Sequence, residues 1–204
     1  MNAESAEKNL EVIRKLMERS SVYRLVASYS ALIGGALSLG TGVYFFLKGD
    51  SHSPAQFFWS WVVMLCIVDG ANTLFLYRDS KKRGDDFPSS RMFHAIGAML
   101  PGVLVGGIVS IVCIFLYQDP VNASIFWALG CGLGLLGTSS FSPRSICLLG
   151  WFLLLAGLGY FCWHETIGRN SDLNHLSGAG LFMAMTFGIG LLVYGIATFR
   201  RKNS

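Results

Sequence analysis

Charge is what this sequence lacks most. Asp, Glu, Lys and Arg make up 14% of its 204 residues, against roughly 25% in ordinary soluble domains. A soluble fold of this length would need a far more polar surface. Catalytic signatures are also missing: there is no H-E-x-x-H, no P-loop, no G-x-S-x-G and no G-x-G-x-x-G before a helix. None of the five cysteines, Cys66, Cys113, Cys131, Cys147 and Cys162, forms a C-x-x-C pair. All five lie in apolar surroundings, where Cys behaves as a small hydrophobe. Asp50, His52, His164, Glu165, Asp172 and His175 are of metal-ligating type, but their spacing matches no metal site, and solvated loop residues are the plainer reading. No cofactor is implied, and catalysis by embedded groups is the weakest functional class.

What the chain has instead is apolar blocks of membrane length. Hydrophobic residues reach 52% and mean hydropathy is +0.50. About 20 helical residues cross the ~30 Å hydrocarbon core, and six such spans are expected, at 25–47, 57–77, 92–117, 123–141, 145–163 and 176–199. The expected fold is an all-α six-transmembrane-helix bundle over 25–199, preceded by a lead-in at 1–24 and closed by a basic tail at 200–204. The 24 glycines sit inside the apolar blocks, where they let helices approach closely.

The sixteen basic residues divide unevenly between the two sides. With the N-terminus inside, 14 of the 16 Lys and Arg fall on the cytoplasmic side, leaving Lys48 and Arg169 outside. That bias sets a cytoplasmic N- and C-terminus. It also accounts for the net charge of +4 without direct nucleic-acid binding. Tyr44, Trp59, Trp61, Tyr117, Trp127 and Trp163 are expected near the outer interface, with Tyr23 and Tyr77 near the inner one.

Residues 2–23 read as an amphipathic helix in which Leu10, Ile13 and Met17 share one face. Such a face lies on a membrane surface or docks a partner helix. A repeat is also visible: 126–144 aligns with 182–201 at an offset of 56, and 32–38 with 104–110 at 72. The six spans would then form three parallel two-helix hairpins, an arrangement known in transporters.

Asp69 is the sharpest single residue. A carboxylate within a span costs roughly 2.5–3.5 kcal/mol by insertion scales, so it should face protein or water. Helical spacing places Cys66, Asn72 and Thr73 beside it. The stripe reads either as an ion- or proton-binding site or as a hydrogen-bonded helix contact. His94 opens the third span, and Gly97 or Ala98, Pro101, Gly102, Gly106, Ser110 and Cys113 follow it. Pro101 frees a carbonyl one turn earlier and can kink the helix, so this stripe reads as a tight helix contact or as a polar site. Small-residue stripes also run along the first, fourth and sixth spans, through Gly34 to Gly42, Gly130 to Gly137 and Gly180 to Gly188.

Three stretches carry a family resemblance: EVIRKLMERSSVYRLVASYSALIGGALSL (11–39), RDSKKRGDDFPSSRMFHAIGAMLPGVLVGGIVS (78–110), and GTSSFSPRSICLLGWFLLLAG (137–157) followed by GIGLLVYGIATFRRK (188–202). They resemble a family of small bacterial six-span inner-membrane proteins of unknown function. The resemblance implies a bacterial inner-membrane protein, often encoded beside a winged-helix regulator, and no activity. Members often carry a His in the last span. This chain has Gly188, Gly190 and Tyr194 there and no His, so no role is carried over for that residue. The expected function is a regulatory, sensory or partner-binding membrane module, acting on a cytoplasmic protein or as a homo-oligomer. The alternative is a small transporter or channel for protons, cations or a small solute that uses Asp69.

Overall fold

A computed structural model describes residues 29–83, 90–140, 142–166 and 175–200. The lead-in with Leu10, Ile13 and Met17 lies outside the described residues, as do the tail and most of the 164–175 loop.

Among the described residues all regular structure is helical, and six helices are long and apolar enough to cross a membrane. This is the architecture of a multi-pass membrane protein. Helix α1 spans Tyr29–Lys48, and a 3₁₀ turn at Gly49–Ser51 leads to α2, Pro54–Arg83. Helices α3, α4 and α5 follow at Ser90–Phe115, Pro120–Gly137 and Arg144–Thr166. The sixth span has three parts: α6 at His175–Met183, a π-helical turn at Ala184–Ile189, and α7 at Gly190–Arg200. The bundle therefore has a His52 end, where α1 stops and α2 starts, and an Arg144 end, where α4 stops and α5 starts.

The α3–α4 turn explains why these spans end earlier or start earlier than expected. Gln118 takes a left-handed backbone, φ 54°, and Asp119 caps α4 by accepting from the Asn122 backbone N–H at 3.0 Å. The Asn122 side chain donates to the other Asp119 oxygen at 2.7 Å. Pro120 at the first helical position loses no bond there. Four residues thus turn the chain, and Asn122, formally in a glycosylation sequon, is held by the Asp119 cap.

Glycine determines which helices meet. A Cβ on Gly130 would lie 2.6 Å from the Gly106 Cα and 2.7 Å from the Gly102 carbonyl oxygen, and one on Gly137 would lie 2.6 Å from the Ala98 oxygen. The α3 stripe is therefore a backbone-to-backbone seam with α4. Helix α1 meets the last span in the same way: a Cβ on Gly42 would lie 2.6 Å from Gly180 O, and one on Gly35 2.8 Å from Leu192 N. Gly132 and Gly150 bring α4 against α5.

Helix α2 stands apart. Only 6% of its apolar window is buried, against 50% in α4. Ring contacts tie it down at the His52 end, with Phe45 and Phe57 5.0 Å apart and Phe58 and Phe115 5.4 Å apart. Helix α1 thus meets the last span backbone to backbone and meets α2 through side chains, Ser38 with Met64 and Phe45 with Phe57.

Candidate functional site

The space between α2 and the rest of the bundle is a cavity of about 230 Å³. Its α2 wall runs from Phe57 to Val68, or ~16 Å of helix at 1.5 Å per residue. Trp61 and Leu65 lie on that wall. Opposite stand Gly107, Ser110 and Ile111 of α3, Ser124, Trp127 and Cys131 of α4, and Phe187 of the π turn. No Lys, Arg, His, Asp or Glu is in the wall.

The few hydroxyls in the wall are already committed. Ser110 Oγ lies 2.7 Å from both the Gly106 and Ala123 carbonyl oxygens. Ser124 Oγ donates to Pro120 O at 2.8 Å, and Ser38 Oγ reaches Met64 Sδ at 3.8 Å. Apart from the Trp61 indole nitrogen, which has no partner among the described residues, the wall presents mostly carbon to the cavity's contents. At the His52 end it is closed by rings, Phe45 on Phe57 and Phe57 on Trp61.

Toward the Arg144 end the faces of α2 and α3 that line the cavity run on past its wall. The cavity face of α3 continues, by seven-residue spacing from Gly107 and Ile111, through Leu100 and Leu104 (~20° of drift per seven residues), and both are exposed. The cavity face of α2 continues in the same way. Asp69 follows Val62 by seven residues and Phe58 by eleven, so it projects within ~20° of each, ~10 Å further along the axis than Val62. Asn72 falls on the same sector one turn beyond Val68. Asp69 is exposed and Asn72 half-buried. Among the described residues the Asp69 carboxylate has no hydrogen bond or ion pair.

The expected site residues are therefore only partly brought together. Asp69 and Asn72 lie just past Val68, the last α2 residue of the cavity wall, and Thr73 is exposed on their flank. No hydrogen bond joins these three to one another or to His94 among the described residues. His94 and Pro101 are exposed. The stripe read along α3 divides: Ala98, Gly102 and Gly106 form the α4 seam, while Gly97 and Pro101 turn outward. Helix α3 runs unbroken through Pro101. Spacing alone could not separate these two rows, because adjacent residues differ by only ~100°.

Two tryptophans of the expected outer set turn toward the bundle. Trp61 is 9% exposed, its indole nitrogen has no partner among the described residues, and Trp127 is a wall of the cavity. Phe187 has no signal in the sequence, because its direction depends on the π turn. Near the His52 end, His164 is buried with its Nδ1 3.8 Å from Glu165 Oε1, and its ring centroid lies 6.5 Å from that of His175. Among the described residues no three His, Cys, Asp or Glu side chains could hold a metal ion together.

No family model, no curated protein and no solved structure matches this chain.

Proposed function

We propose that this chain is a regulatory or sensory module of the bacterial inner membrane that takes up a hydrophobic molecule from the bilayer and transmits its presence to a partner. The observation that supports this reading is the apolar cavity between α2 and the bundle. Its lining suits an apolar guest, and its committed hydroxyls offer no path for a hydrated ion. The loosely held α2 is the element whose position such a guest would change. The lead-in with Leu10, Ile13 and Met17, the cytoplasmic placement of both termini and the three-hairpin grouping belong to the same proposal. A cytoplasmic protein or a second copy of the chain would read the change.

The test uses the full chain in lipid nanodiscs and neopentylbenzene, a compact neutral hydrocarbon, with empty nanodiscs as background. Saturable binding above background is expected, with at least a tenfold weakening in Gly107→Leu. Gly107 faces the cavity and a Cβ there meets only a Trp127 ring carbon at 3.5 Å, so leucine fills space without breaking a seam. Uptake that never saturates, or that is equal in the variant, sinks the reading.

One observation favours the second reading, a small transporter or channel. Asp69 lies within a span and has no partner among the described residues, as a coupling carboxylate would. Cation- or proton-dependent flux in proteoliposomes, lost in Asp69→Asn, would move the assignment there.

A further inference from the structure

The cavity and the stretch of α2 just past it differ in character. Its walls are rings and aliphatic chains, with Phe57, Phe58, Trp61, Trp127 and Phe187 among them. Asp69 follows Val68, the last wall residue on α2, and Asn72 lies one turn past Val68 on the same sector. No basic side chain is in the wall. The nearest one along α2 is Arg78, nine residues on, or ~13 Å further along the axis.

A carboxylate at this depth, with no partner from the described chain, is costly. A positive group placed against it would offset that cost. An anion would meet Asp69 unopposed and is excluded. A neutral apolar molecule would fill the cavity and leave the carboxylate as it was. The wall rings take the apolar body of a guest whatever the charge of its head. Charge and shape therefore select the same kind of guest.

We infer that the cavity is a binding site for lipophilic organic cations, with the apolar body between α2 and α4 and the positive head at Asp69 and Asn72. The inference rests on the hydrophobic-guest reading above and narrows it to one chemical class. Asp69 is the selectivity residue, and the aromatic walls supply affinity that charge does not change.

The experiment compares two probes of equal shape on the full chain in zwitterionic nanodiscs. Benzyltrimethylammonium carries a quaternary nitrogen where neopentylbenzene carries a quaternary carbon. Wild type is expected to bind the cation saturably. Asp69→Asn should weaken the cation at least tenfold and leave the neutral probe within twofold, and Asp69→Glu should restore most of the loss. Gly107→Leu should weaken both probes. The neutral probe also reports that Asp69→Asn keeps its cavity, so a misfolded variant is recognised by losing both. In that event Asp69→Glu decides: cation affinity kept near wild type supports the inference, and its loss with the neutral probe retained overturns it. If wild type takes the neutral probe and refuses the cation, or if Asp69→Asn leaves the cation unchanged, the cation inference falls and the hydrophobic-guest reading stands. If wild type binds neither probe, both fall.

Discussion

Ser110 shows how a single hydroxyl holds a seam. It is buried, and its oxygen lies within 2.7 Å of a carbonyl on its own helix and of the Ala123 carbonyl on α4. Polar contacts between membrane helices average about 0.6 kcal/mol and reach about 1.7. Ser110→Ala should therefore lower stability by about 0.6–1.7 kcal/mol, as read by reversible unfolding in mixed micelles. A loss beyond that range would mean that the hydroxyl supports more than this pair of helices. Asp69 differs in kind. It was legible in the sequence because a carboxylate within an apolar span is rare, and its rarity needs no tertiary information. Trp61 was not legible. Its position in the span suggests an interfacial anchor, but the direction of its ring depends on Phe57 and Phe45, one of them on another helix. Trp127, Cys131 and Phe187 were hidden for the same reason: each reads as ordinary membrane apolar content until the elements around it are placed.

At the scale of elements, the spans were legible to within a few residues, since each is a run of apolar residues bounded by polar ones. The small-residue rows were legible too, although not which row meets which. Gly130 to Gly137 meets α3, and Gly180 to Gly188 meets α1, yet in sequence the rows look alike. The π turn left no trace, since a widened turn keeps the same residues and changes only their bonding. The glycines now separate into two groups with opposite expectations. Gly130→Val places methyl groups where a Cβ alone already lies 2.6 Å from the Gly106 Cα. Overpacking of this kind costs about 1–3 kcal/mol or more, so the variant should be destabilised by at least that much or fail to assemble. Around Gly70 and Gly97 a Cβ meets nothing within 4 Å. Gly70→Ala and Gly97→Ala should leave stability unchanged or raise it by up to ~1 kcal/mol through helix propensity. Thermal unfolding in one detergent separates the groups, and equal effects would mean that α3 and α4 do not meet along this seam.

At the scale of the whole molecule, the even number of spans and the charge split make one joint claim. Six helices alternate in direction, so the His52 end gathers Lys48, Gln118 and Thr166, and the Arg144 end gathers Arg83, Gly137 and Arg200. Contacts support this grouping: Gly49 meets Ser177 at the first end, and the Tyr29 and Phe199 rings lie 5.9 Å apart at the other. The basic residues concentrate at the Arg144 end, and the proposed orientation, by the positive-inside rule, puts that end in the cytoplasm. Paired reporter fusions can read this, using one reporter active only in the cytoplasm and one active only outside. Fusions after Arg83, Gly137 and Arg200 should behave alike and report cytoplasm, and fusions after Lys48, Gln118 and Thr166 should report the opposite side. If all six reverse together, the alternation stands and the orientation is wrong. If the fusion after Arg83 alone breaks ranks, neither α2 nor α3 crosses. That outcome would also remove the cavity, because α2 is the only wall that separates it from lipid on that side.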